Sequence, residues 1–148
     1  MRIKYLPVVF LSALGMGYLS LLYLIRHPPP KVHSDLFLRG KIVSIVVSHN
    51  HAFGIYKIRI DSSNFKDTAK PADPASIPPF AVDGSWAEVY GATSVEDSVG
   101  SIIEVNGPAQ TILIQRPNRQ GILGERSFYA ITESDNINFI RDHSAFNR

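Results

Sequence analysis

From Tyr5 to Ile25 the chain runs for twenty-one residues without a single charge, and no other feature of its 148 residues limits the fold so severely. A helix rising 1.5 Å per residue over that length covers about 30 Å, the thickness of a bilayer's hydrocarbon core. Tyr5, Tyr18 and Tyr23 fall near or within the ends of the run, where amphipathic rings are tolerated among headgroups. Pro7 falls in the first turn, where a missing N–H costs little. A soluble core helix would show a polar stripe every 3.6 residues. A cleaved signal peptide shares the basic start and the apolar core. Here, however, the apolar run continues through Leu21, Leu22, Leu24 and Ile25, and the small residues Gly15 and Gly17 sit in mid-run rather than after it. Residues 1–27 are therefore expected to be an uncleaved anchor that enters the lipid bilayer through residues 5–25.

Charge distribution supports that reading. Residues 1–31 hold Arg2, Lys4, Arg26 and Lys31 and no acid, while the remaining eleven Lys and Arg face all thirteen Asp and Glu. The sequence pI of about 9.0 thus arises beside the hydrophobic run, where basic residues set topology, and the rest of the chain is mildly acidic. A general affinity for nucleic acid is not expected from such a distribution. The basic residues before and after the run nearly balance, and the expected orientation is that of a signal anchor, with the C-terminal domain on the non-cytoplasmic side. Cysteine is absent, which excludes disulfides, thiolate metal sites and cysteine nucleophiles. Pro28, Pro29 and Pro30 cannot continue a helix and favour an extended spacer of about 3.1 Å per residue over residues 28–35.

Residues 36–148 read as one small β-rich domain. Leu36–Val47 and Phe53–Asp61 alternate with period two and flank the turn-like Ser48-His49-Asn50-His51, which predicts a hairpin. Gly40 marks a bend or bulge in the first strand. In the second, Tyr56, Ile58 and Ile60 point one way while Lys57, Arg59 and Asp61 point the other. Residues 62–79 form a long polar loop, and Ser85–Ala92 a third strand with Trp86, Glu88 and Tyr90 on one face. Val99–Val105 and Ala109–Gln115 flank Asn106-Gly107-Pro108, a strong local hairpin signal. Arg116–Arg126 reads as a second polar loop and Ser127–Thr132 as a last strand, with a short strand or helical turn at Ile137–Ile140. No segment beyond residue 35 shows a sustained helical period. The expected fold is all-β, a small OB-like or SH3-like barrel or sandwich of five or six strands behind one N-terminal transmembrane helix.

The segment Ala92–Gln115 (ATSVEDSVGSIIEVNGPAQTILIQ) resembles a stretch found in small β-rich envelope proteins of Bacteroidetes-type bacteria, which carry a hydrophobic N-terminus. It departs from that pattern at Glu96 and Gly100. The resemblance implies a location in the cell envelope and no reaction.

Chemical motifs are sparse. His49 and His51 in a turn are candidate metal ligands, with His33 or Asp61 to complete a set, but only two ligands are locally supplied. Asp61, Asp67 and Asp73 lack the spacing of a calcium loop. No Gly-x-Ser-x-Gly elbow and no phosphate-binding glycine loop is present. No cofactor and no catalytic residues are expected. A hydrolase site in the 62–79 loop is the least favoured of three readings. Arg116, Arg119 and Arg126, beside Trp86 and Tyr90, are candidate ligand-binding residues for an oligonucleotide or glycan, with solvated arginines above a packed aromatic core as the plainer reading. The favoured reading is a non-enzymatic, membrane-anchored envelope protein whose β domain meets an envelope protein partner.

Overall fold

The structure, a computed structural model, describes residues 14–19, 22, 35–49, 52–65, 77–116 and 122–146. The chain divides into two units, Met1–Pro30 and Lys31–Arg148. In the first, residues 14–19 and 22 are helical, and Leu14, Met16, Tyr18 and Leu19 are exposed. Most of the expected anchor and most of the proline-rich spacer lie outside the described residues. Among the described residues no helix is long and apolar enough to cross a membrane.

Alternation of apolar and polar residues organises the second unit. Seven strands form one antiparallel sheet: β1 (Phe37–Val47), β2 (Phe53–Ser63), β3 (Phe80–Asp83), β4 (Trp86–Ala92), β5 (Ile102–Asn106), β6 (Thr111–Gln115) and β7 (Ile122–Ser127). Their spatial order is β3-β4-β2-β1-β5-β6-β7, and the sheet curls into a half-barrel. Directly paired residues share a face, so the register defines an inner side: Leu38, Ile42, Tyr56, Ile58, Val89, Ile103 and Ile114 all point to it. These merge with Phe80 and Val82 near one end of the strand order and Ile112 near the other in a single buried cluster. The curl is what lets β3 and β6 share that cluster.

Gly40 lies beside a register shift in the β1–β2 ladder, but the extra residue there is Asp61 of β2, and the bulge in β1 itself falls at Val43. A Cβ on Gly40 would lie 2.6 Å from Ile58 Cγ2 and closer still to the Arg59 carbonyl, so only glycine lets the two backbones approach. After β7 the chain places Phe128 in the inner cluster and then pairs Ile131 with Ile77, each N–H donating to the other's carbonyl at 2.9 Å. That bridge joins the chain after β7 to the chain before β3, which draws the two ends of the curl together.

Several expectations need correction. There are seven strands rather than five or six, because Phe80–Asp83, between the expected polar loop 62–79 and the expected third strand, pairs with β4. The last strand is Ile122–Ser127 rather than Ser127–Thr132, so Arg126 belongs to β7 and not to a loop. The hairpin expected around Asn106-Gly107-Pro108 is present, β5 pairing with β6, but not through a two-residue turn. Pro108 would have to donate an N–H immediately after such a turn and has none. Instead Asn106 pairs with Thr111 across a four-residue loop, with Gln110 at φ 56° and the Ala109 N–H donating to Asn106 Oδ1 at 3.0 Å. Ile137–Ile140 lies within a ten-residue helix, α1 (Ser134–His143).

Candidate functional site

Helix α1 covers part of the sheet's outer side. Phe53, Ile55, Ala81 and Tyr90 form a second buried cluster with Ile140, against which Ile77, Ile131, Phe139 and Phe146 pack. The Phe53 and Phe139 rings meet edge to face at 6.2 Å. The same face carries Glu88, whose carboxylate is 1 % exposed. Ser144 Oγ donates to its Oε2 at 2.5 Å, the Ala145 N–H donates to Oε1 at 3.0 Å, Tyr90 OH donates at 3.1 Å, and Lys57 Nζ stands 3.8 Å away. Burial pushes the Tyr90 phenol above its ordinary range, helped by the charge of Glu88 and opposed by the bond to Ser144. Four partners around one buried carboxylate fasten the end of α1 to β4.

A second polar cluster closes the inner side. Arg126 faces inward from β7, and Nη1 and Nη2 donate to Asp97 Oδ2 and Oδ1 at 2.7 and 2.8 Å. Tyr56 OH donates to Asp97 Oδ2 at 2.5 Å and accepts from Arg126 Nη1 at 2.8 Å. The Ser94 N–H donates to the same carboxylate at 2.8 Å. Burial pushes the Asp97 carboxyl up, but these three donors outweigh it and hold it below the ordinary carboxylate range. Tyr56 moves the other way, raised by its burial and by the adjacent Asp97. Arg116 extends the arrangement, pairing with Glu96 Oε2 at 3.3 Å and donating to the Glu96 carbonyl at 3.1 Å. Both arginines therefore hold the β4–β5 connection in place.

The expected site residues are not brought together. Trp86 is 47 % exposed on the outer face, whereas Tyr90, on the same side of β4, is buried beneath α1. Arg116 and Arg126 are bound to carboxylates rather than free for a ligand. Arg119 and His51 lie outside the described residues, and His49 is exposed in its turn. Among the described residues, no group of three His, Asp or Glu side chains is placed to hold a metal ion. The proposed hydrolase loop lies largely outside the described residues as well.

What the sequence reading passed over is the outer face itself. Cross-strand pairing sets Lys41 beside Arg59, Arg59 beside Trp86, and Trp86 beside Asp83, all four exposed. Farther along β1, an open groove of about 480 Å³ is lined by Phe37, Arg39, Asn64, Glu104, Thr111 and Leu113. Phe37 is 51 % exposed there, and Arg39 pairs with Glu104 at 2.9 Å. The signal was present in the alternation of β2, which turns Arg59 away from the core. Its meaning depended on a register that only the fold supplies.

Comparison with known proteins adds no relative, since no protein-family description, curated protein or solved structure matches this chain.

Proposed function

We propose that this chain is a non-enzymatic, membrane-anchored envelope protein whose β domain is a binding module of the small OB-like or SH3-like barrel kind. One observation carries the reading. The buried ionisable groups at the two polar clusters are engaged in fastening the fold, whereas the outer face of β1, β2 and β4 presents Phe37, Lys41, Arg59 and Trp86 to solvent. Glu88 holds α1, and Asp97 holds β7 to the β4–β5 connection. Exposed aromatic and cationic side chains on a rigid sheet suit recognition, because such a sheet loses little freedom when a ligand settles on it. The charge-free run 5–25 supports the anchor, and the spacer keeps the module close to the bilayer.

The reading predicts that the full chain stays with the membrane pellet after alkaline carbonate extraction. Recovery of the intact chain in the soluble fraction would overturn the anchor. Turnover of a hydrolase substrate panel by purified full chain, lost in Glu88→Gln or Asp97→Asn variants that remain folded, would overturn the non-enzymatic part.

A further inference from the structure

We propose that the row Lys41–Arg59–Trp86 binds an oligosaccharide bearing widely spaced acidic groups. Trp86 stacks on a sugar ring while Lys41 and Arg59 take a carboxylate on a neighbouring ring. The inference deepens the binding-module reading and rests on it.

Lys41 and Arg59 are direct cross-strand partners in the β1–β2 ladder, and both are exposed. Like charges in that relation repel and weaken the sheet. Among the described residues neither has an ion-pair partner, although Arg39, Lys57, Arg116 and Arg126 each do. What sets this pair apart from other unpaired surface charges such as Arg141 is the direct apposition of two cations across the ladder, a local conflict of the kind that marks binding sites. An anion seated between the two side chains removes it.

Trp86 flanks Arg59 on the other side and is the sole tryptophan of the chain. From Lys41 to Trp86 is two strand spacings, about 10 Å, a span comparable to two linked sugar rings. Asp83 is the next residue along the row, and Asp61 lies two residues beyond Arg59 on β2. Those carboxylates repel a polyanion and accept hydrogen bonds from hydroxyls.

This mixture of charges separates the candidate ligands. Counterion release drives nucleic-acid binding through many basic contacts, and an anionic lipid surface calls for a cluster of four or more. Two cations between two carboxylates serve neither well. A hydroxyl-rich chain with sparse acid groups uses all of these side chains.

The test uses the full chain in nanodiscs of zwitterionic lipid, with Trp86 emission as the reporter. A hyaluronan tetrasaccharide, with one carboxylate on every second ring, is expected to shift or quench that emission saturably. Neutral chitotetraose is expected to bind at least ten-fold more weakly. Lys41→Gln and Arg59→Gln are each expected to weaken the acidic sugar at least ten-fold while raising the chain's unfolding midpoint, since each relieves the repulsion. A purely structural role would lower that midpoint instead. No response to the tetrasaccharide, or a response unchanged in both variants, overturns the proposal. So does a response only to oligo(dT), or only on moving the chain into anionic nanodiscs. Any of these failures leaves the carbonate-extraction and turnover results standing, so the sugar site fails separately from the membrane-anchored, non-enzymatic reading.

Discussion

Asp97 shows how a single carboxylate can be structural while having the environment of a reactive one. Its side chain is 1 % exposed and meets Arg126, itself 21 % exposed, through two short bonds, with Tyr56 and Ser94 as further donors. Removing one partner of a buried ion pair strands the other and costs about 3–5 kcal/mol. Asp97→Asn is therefore expected to lower the stability of the domain by about 3 kcal/mol, measured by urea unfolding at pH 7. The pH dependence follows from the depressed carboxyl. A group whose folded value lies below its unfolded value of about 3.9 binds fewer protons in the folded state near those values. Its stabilisation is complete above that unfolded value and is lost as pH falls through the folded one. The wild-type urea midpoint should fall between pH 5 and acid, and Asp97→Asn should flatten that slope. An unchanged acid slope in the variant would assign the acid sensitivity elsewhere. At this scale the sequence offered little. Arg126 was visible as a cation, but nothing in its neighbours said that β7 turns it inward to a carboxylate 29 residues earlier.

At the level of elements, alternation was a good guide wherever one face of a strand met the core and the other met water. β1, β2, β4, β5 and β6 all follow from it, whereas Gly40 marked the irregular part of the β1–β2 ladder without locating its extra residues, Asp61 and Val43. It failed for β3, whose FAVD is too short to alternate visibly and lies behind prolines. It failed for α1 because SDNINFIRDH is polar, and Ile140 is its one fully buried side chain. That helix is held from outside, by Glu88 gripping Ser144 and Ala145, more than by its own propensity. Its N-cap is Glu133, which makes no capping bond. Serine or aspartate at that position accepts from the first-turn N–H groups and adds typically about 1 kcal/mol. Glu133→Ser is expected to stabilise the domain by about 0.5–1 kcal/mol in the same urea assay. A neutral or negative effect would indicate that the bond from the Asn136 side-chain amide to Glu133 Oε2, at 2.8 Å, steadies the first turn as much as a backbone cap would.

For the β domain as a whole, the predominance of strands and the barrel-like curl were legible, while the division of labour among its charges was not. That division depends on pairings such as Arg126 with Tyr56 and Ser144 with Glu88, separated by 70 and 56 residues. A chain shortened after Thr132 loses α1 and leaves Phe53, Ile55, Ala81 and Tyr90 uncovered. Such a variant is expected to bind a hydrophobic dye and to aggregate, with β signal retained in circular dichroism. A monomeric, dye-silent product would show that the helix is dispensable to the outer face.

The late position of both fasteners also bears on how the protein is made. Synthesis delivers residues from the N-terminus onward, so β1 to β6 exist before either Arg126 or Ser144 has been added. Throughout that interval the nascent polypeptide lacks what seals it, and its apolar surfaces stand open to water and to other chains. Until β7 and the segment around Ser144 have emerged, those surfaces lack their fasteners, an interval in which a chaperone's cover is useful.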